Sequence, residues 1–233
     1  MPQLRFLCLH GAGTNTDILR SQLGALSREL SNDQTADLHF LEGGVDSPPG
    51  PGVLGYYDGP YFSWYNWPPV LGSSEDAQSI REAYEMVDEV IEEDGPFDGV
   101  IGFSHGGALA HGLMVRHELQ RPHDPPLFRC AIFFNSMPPL FRTDKDDANG
   151  VAGPCIIYDK LALQNSVCGV LSLHVVGQKD FAYEHSMALY KDWEPNSAML
   201  IVHERGHVIP SDVKTARLIA KEIREMAARL MGV

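Results

Sequence analysis

Apolar and polar positions along this chain alternate between two rhythms: short continuous apolar runs, and longer segments with an apolar residue every three or four positions. Leu4 to Leu9 is a short β-rich run ended by His10-Gly11-Ala12-Gly13, and an apolar run bounded by glycines predicts a buried strand. Asp17 to Leu30 carries Ile18, Leu19, Leu23, Leu26 and Leu30 at helical spacing and predicts one amphipathic helix. Asp37 to Leu41 predicts a second strand. Glu75 to Glu93 predicts a helix with Ile80, Tyr84, Val87, Val90 and Ile91 on one face, stopped by Gly95-Pro96. Phe97 to Ile101 predicts the next strand, and the helix after it runs to about Leu119, where Pro122, Pro125 and Pro126 break it. Phe128 to Phe134, Leu171 to Val176 and Ala198 to His203 predict three more strands. Asp212 to Leu230 closes the chain as an amphipathic helix with Val213, Ala216, Ile219, Ala220, Ile223 and Met226 inward.

Strands alternating with helices imply an α/β fold: a mostly parallel sheet with helices on both faces, its functional loops gathered at the carboxyl ends of the strands. The 233 residues suit a single domain spanning 1–233. Two stretches break the alternation. Gly43 to Ser74 is rich in Gly and Pro yet gathers Tyr56, Tyr57, Tyr61, Phe62, Trp64, Tyr65 and Trp67. A loop of that length predicts a lid or binding loop, with a tucked-down satellite cluster as the alternative. Met137 to Gly169 begins with Pro138-Pro139, contains the polar run Thr143 to Asn149, and predicts the other wall of a pocket.

Composition narrows the partners. The formal charge of −13 comes from 31 acidic against 18 basic residues with no Lys/Arg cluster, which argues against nucleic acid and anionic membranes. Cys8, Cys130, Cys155 and Cys168 have no metal or redox spacing and read as reduced thiols. No apolar run is long enough to span a bilayer and no basic leader precedes the first strand, so a cytoplasmic protein is expected.

The chemistry centres on Gly102-Phe103-Ser104-His105-Gly106, which stands between a predicted strand and a predicted helix. That is the setting of a nucleophile elbow, where a serine hydroxyl projects from a sharp turn above the sheet. Serine needs a base to accept its proton and the base needs an acid to hold its tautomer. Asp180 follows the strand Leu171 to Val176 through Gly177-Gln178-Lys179, and His207 follows the last strand through Glu204-Arg205-Gly206. Their order, serine then acid then histidine, is the one this fold uses. Of the other histidines, His174 reads as a packed core residue, His203 as a pocket-wall residue, and His185 and His117 as helix-surface residues. Oxyanion donors are expected from the His105 amide and from the glycine loop, with Ala12 preferred and Gly11 its rival, and His10 bracing that loop. Tyr61, Phe62, Trp64 and Trp67 are expected to contact substrate. The acidic residues and cysteines show no metal-ligand spacing, so no metal is expected.

These segments resemble a family of α/β-hydrolases, the fungal serine hydrolases that include thioesterases releasing products from iterative polyketide synthases. The resemblance rests on Leu7 to Asn15, Asp58 to Trp64, Gly95 to Ser104, Gly177 to Asp180 and His203 to Pro210. It implies a triad of Ser104, Asp180 and His207, no cofactor, and an acyl ester or thioester substrate, which in such thioesterases rides on an acyl carrier protein of the synthase. The chain departs from the family at His105 and Gly107, where Gln and Ala are usual, and at Arg205, where Gly is common. The resulting expectation is a serine acyl hydrolase of secondary metabolism, first a thioesterase. A general short-chain carboxylesterase is the second reading and a non-hydrolytic binding protein that retains the fold the third. Acyl transfer to an alcohol or amine shares the same acyl-enzyme.

Overall fold

A computed structural model describes residues 3–70, 73–136, 169–193 and 195–232. The predicted pocket wall from 137 to 168, with Cys155 and Cys168, lies outside the described residues. Six parallel strands form one sheet in the order β2-β1-β5-β6-β7-β8. They are β1 (Leu4–Leu9), β2 (Ala36–Leu41), β5 (Gly99–Phe103), β6 (Cys130–Phe134), β7 (Leu171–Gly177) and β8 (Ala198–His203). Two further strands, β3 (Val45–Asp46) and β4 (Phe62–Ser63), pair antiparallel as a two-residue ribbon. The helices are α1 (Thr16–Gln22), α2 (Gly24–Ser31), α3 (Ser74–Asp94), α4 (His105–Gln120), α5 (Tyr183–Lys191) and α6 (Val213–Met231).

Successive side chains of a strand point to opposite faces, and the central strands use this to feed two cores. Phe6 and Cys8 of β1, Ile101 and Phe103 of β5, and Ile132 and Phe134 of β6 pack with Leu19, Leu23, Leu26 and Leu30 of the α1–α2 region and Ile219, Ile223 and Met226 of α6. Leu7, Leu9, Val100, Ala131 and Phe133 face the other way, against Ile80, Tyr84 and Val87 of α3 and Leu109 and Leu113 of α4. Strands apolar on both faces read as continuous runs, which is why they stood out in the sequence.

The segment expected as one helix, Asp17 to Leu30, is two. α1 ends at Gln22, Leu23 is the joint at φ −81 and ψ −2, and Gly24 opens α2. Glycine is the weakest helix former after proline, and splitting there lets Leu19, Leu23, Leu26 and Leu30 all reach the sheet. Other boundaries shift by one or two residues toward their caps. Ser73 caps α3 by accepting the Asp76 N–H at 3.2 Å, and Asp212 caps α6 by accepting that of Thr215 at 2.9 Å. No helix among the described residues is long and apolar enough to cross a membrane.

The chain runs from β1 outward to β2 and then returns to β5 on the other side of β1. The carboxyl ends of β1 and β5 therefore flank a topological switch point, where open α/β sheets form their crevice.

Three of the buried histidines sit on the helix and strand framework: His105 and His111 on α4 and His174 on β7. Burial holds each imidazole down at about 3, from an ordinary value of 6.5. Between those values the unfolded chain binds protons that the folded chain refuses, so stability falls as pH falls, by about 1.4 kcal/mol per pH unit for each histidine. Urea unfolding should show a lower midpoint at about pH 5.5 than at about pH 7.5, and His111→Phe should flatten that dependence by about a third. A midpoint indifferent to pH over this interval would contradict the burial of these rings as neutral groups.

Candidate active site

β5 hands the chain to α4 through a single residue, Ser104, at φ 53 and ψ −113. The turn is held from three sides. Its N–H donates to the Phe134 carbonyl at 2.9 Å, and its own carbonyl accepts the Gly107 and Ala108 N–H groups, each at 3.1 Å. A Cβ on Gly106 would stand 2.3 Å from the Leu9 carbonyl oxygen, so only glycine lets α4 start this close to the end of β1.

The Ser104 hydroxyl donates to His207 Nε2 at 2.9 Å. His207 Nδ1 lies 2.9 and 2.8 Å from the two Asp180 carboxylate oxygens, and a carboxylate only accepts, so the proton sits on Nδ1. Asp180 Oδ1 also accepts the Ala182 N–H at 2.8 Å. The Asp180 side chain is fully enclosed and that of His207 is 11% exposed. The rings of Phe103 and Phe181 lie 5.1 and 4.5 Å from the imidazole. The loops carrying acid and histidine run together: Gln178 N–H donates to the His203 carbonyl at 2.7 Å and Lys179 N–H to that of Arg205 at 3.0 Å.

Above the serine lies the loop after β1. Its Gly13 and Thr14 amides are spent on the Phe62 carbonyl at 2.9 and 3.2 Å. The Ala12, Gly11 and His105 amides have no hydrogen-bond acceptor among the described residues. His10 braces this loop from within the core. Its Nδ1–H donates to the Gly11 carbonyl at 2.8 Å, its Nε2 accepts the Gly43 N–H at 2.9 Å, and its carbonyl accepts the Trp64 indole N–H at 2.7 Å.

Ser104 and His207 open into a cleft of about 250 Å³, in which no Lys, Arg, Asp or Glu side chain is among the described lining residues. Of the four aromatics expected at substrate, the structure brings one there. Trp67 lines the cleft and packs on His105 with ring centroids 4.7 Å apart. Trp64 is 1% exposed and belongs to the core beside His10. Phe62 is a strand residue of the β3–β4 ribbon, and Tyr61 turns its hydroxyl onto the Tyr57 carbonyl at 2.7 Å. The facing wall is the Pro48 to Val53 strap, together with Phe181 and Val208. The strap is pinned by Gly50 N–H donating to the Gly13 carbonyl at 2.8 Å, and a Cβ on Gly13, at φ +66, would meet the Gly50 nitrogen at 2.2 Å. Pro48 to Val53 fall within the stretch expected as a lid or binding loop, though the sequence reading named its aromatics and not these residues, and Phe181 and Val208 went unnamed. The signal for them was the density of Pro and Gly from 47 to 53 and the placing of Phe181 directly after Asp180. Among the described residues no three His, Cys, Asp or Glu side chains gather in a way that would hold a metal ion.

Residues 1–219 match the family model for the FSH1 serine hydrolases. The chain belongs to this FSH1 serine hydrolase family. It is 43% identical over 220 residues to the hydrolase phiM of Talaromyces stipitatus, covering 92% of this chain and 84% of that one. It is 33% identical over 227 residues to the esterase FPY3 of Fusarium mangiferae, covering 97% and 98% of the two chains. Among solved structures, a carboxylesterase from Mesorhizobium loti aligns with a TM-score of 0.58 at 19% identity, covering 96% of this chain and 90% of that one. Acyl-protein thioesterase 2 of Zea mays aligns with a TM-score of 0.59 at 16% identity, covering 97% and 95%. At such identities the structures establish a shared α/β-hydrolase fold, and the family match establishes a serine hydrolase.

The two tryptophans separate packing from lining. Trp64→Ala removes a buried indole and its hydrogen bond, and should cost about 3–5 kcal/mol in urea unfolding. Trp67→Ala should cost less stability and weaken hydrolysis of long-chain esters more than short ones. Equal stability losses in the two variants would contradict this division.

Proposed function

We propose that this FSH1 serine hydrolase cleaves neutral acyl esters or thioesters through a triad of Ser104, His207 and Asp180. The observation that carries the reading is the unbroken hydrogen-bond chain from the Ser104 hydroxyl through both nitrogens of His207 to Asp180, at 2.9 and 2.8 Å. His207 takes the Ser104 proton as the hydroxyl oxygen attacks the acyl carbonyl carbon. The imidazolium so formed is stabilised and oriented by Asp180. Negative charge on the former carbonyl oxygen falls to the Ala12 and His105 amides, with Gly11 beside them, donors that have no acceptor among the described residues and so need no rearrangement. Collapse of the intermediate expels the alcohol or thiol, which takes its proton from His207. Water activated by the same imidazole then attacks the acyl-enzyme and frees the acid.

The cleft walls favour an apolar acyl group, since Pro48, Val53, Trp67, Phe181 and Val208 face it. The finer reading is a thioesterase that releases a polyketide chain from an acyl carrier protein in the cytoplasm. It rests on the resemblance of the motifs to such enzymes and on this apolar lining. A short-chain carboxylesterase uses the same machinery on a smaller acyl group, and fits the modest cleft volume of about 250 Å³.

Ser104→Ala and His207→Ala are each expected to lower kcat by about 10³-fold or more with the protein still folded. A matched set of short and long oxygen esters and thioesters, assayed with Ser104→Ala as baseline, sorts the substrate class. Ser104-dependent preference for long thioesters supports release from a carrier, and preference for short oxygen esters supports the carboxylesterase. Turnover that survives Ser104→Ala would end the triad assignment.

A further inference from the structure

The strand next to the nucleophile, β6, ends at a point where all three loops of the proposed triad meet. The Phe134 carbonyl accepts the Ser104 N–H at 2.9 Å, and the next residue, Asn135, donates its own N–H to the Val175 carbonyl of β7 at 2.9 Å. Asn135 is completely buried and stands at φ 44, in the left-handed region. Its Oδ1 accepts the Gly177 N–H at 2.7 Å, where the loop to Asp180 leaves β7. Its Nδ2 donates to the Val208 carbonyl, the residue after His207, at 3.0 Å. Gly177 in turn accepts the Asp180 N–H at 3.1 Å.

One carboxamide thus ties the acid loop to the histidine loop, from a backbone position that is itself the neighbour of the nucleophile's anchor. We infer that Asn135 is a positioning residue that holds His207 and Asp180 in register with Ser104. This rests on the triad reading above. The residue type fits both demands of the site. Asparagine enters the left-handed region more readily than other L residues except aspartate. Its side chain also offers one donor and one acceptor on a short stem. Aspartate keeps the acceptor for Gly177 and loses the donor for Val208; leucine offers neither; reversing the amide would set N–H against N–H and carbonyl against carbonyl.

Asn135→Gly removes both side-chain bonds while keeping the backbone free of strain, and Asn135→Asp keeps the acceptor for Gly177 but replaces the bond to Val208 with a carboxyl oxygen facing its carbonyl. With near-UV circular dichroism confirming the fold, Asn135→Gly should lose on the order of 10–100-fold in kcat with KM within about twofold of wild type, because a small misplacement of catalytic groups costs rate more than binding. Asn135→Asp should lose about tenfold in the same way. The free protein offers a second readout: the low-field NMR resonance of the His207 Nδ1 proton, held by Asp180, should broaden or vanish in Asn135→Gly. Wild-type kcat in both variants, or a change confined to KM, would overturn the proposal, as would an unaltered low-field proton in Asn135→Gly. If Asn135→Gly does not fold, Asn135→Asp decides by its kcat. Failure of the triad reading would look different: wild type itself would leave Ser104 unlabelled by a fluorophosphonate, whatever Asn135 carries.

Discussion

Ser104 occupies a backbone conformation that costs an L residue about 1–3 kcal/mol, and much of the surrounding architecture serves to hold it there. The turn stands at φ 53 and ψ −113 between a strand buried at every residue and a helix buried from His105 to Val115. The Phe134 carbonyl fixes its amide, the first turn of α4 fixes its carbonyl, and the missing Cβ of Gly106 lets that turn press against the end of β1. Strain of this kind survives only where neighbours over-determine it. What the turn provides is a hydroxyl lifted clear of the sheet, in reach of a histidine delivered from three strands away.

The electrostatics follow from the same crowding. Asp180 is an enclosed carboxylate, and an enclosed charge without partners is expensive. The His207 Nδ1–H and the Ala182 N–H meet it directly. Phe103 and Phe181 lie beside the imidazole on either hand of this polar line. Rings packed against the imidazole lower the local dielectric and strengthen its hydrogen bond to Asp180. The glycine loop after β1 completes the arrangement: its Gly13 and Thr14 amides are committed to Phe62, while Gly11 and Ala12 line the cleft with amides that have no acceptor among the described residues.

Most of the sheet and the proposed triad were legible in the sequence because each rests on a strong local signal. The inner strands are apolar on both faces, the elbow pattern sits where strand gives way to helix, and Asp180 and His207 each follow a strand by a short loop. What the sequence concealed depended on packing at long range. The break at Leu23 turns on how one helical face meets the sheet, and α5 buries only Ser186 and Leu189 fully, too few to set a helical period. The two-residue strands β3 and β4 carry no periodicity at all. In the stretch from 43 to 70 the aromatic density was the conspicuous feature. There the tertiary structure sends Trp64 into the core behind His10 and presents the prolines to the cleft. Asn135 gave no motif, since its meaning lies in two partners 42 and 73 residues away.

The central claim is that Ser104 is a nucleophile activated through His207. The most direct measurement is labelling of the intact protein with a fluorophosphonate, followed by mass spectrometry of the peptide that carries the adduct. The account predicts a single covalent adduct on Ser104 in wild type, and markedly slower labelling when His207 is replaced by alanine. A folded wild-type protein that takes no label, or takes it at another residue, would contradict it.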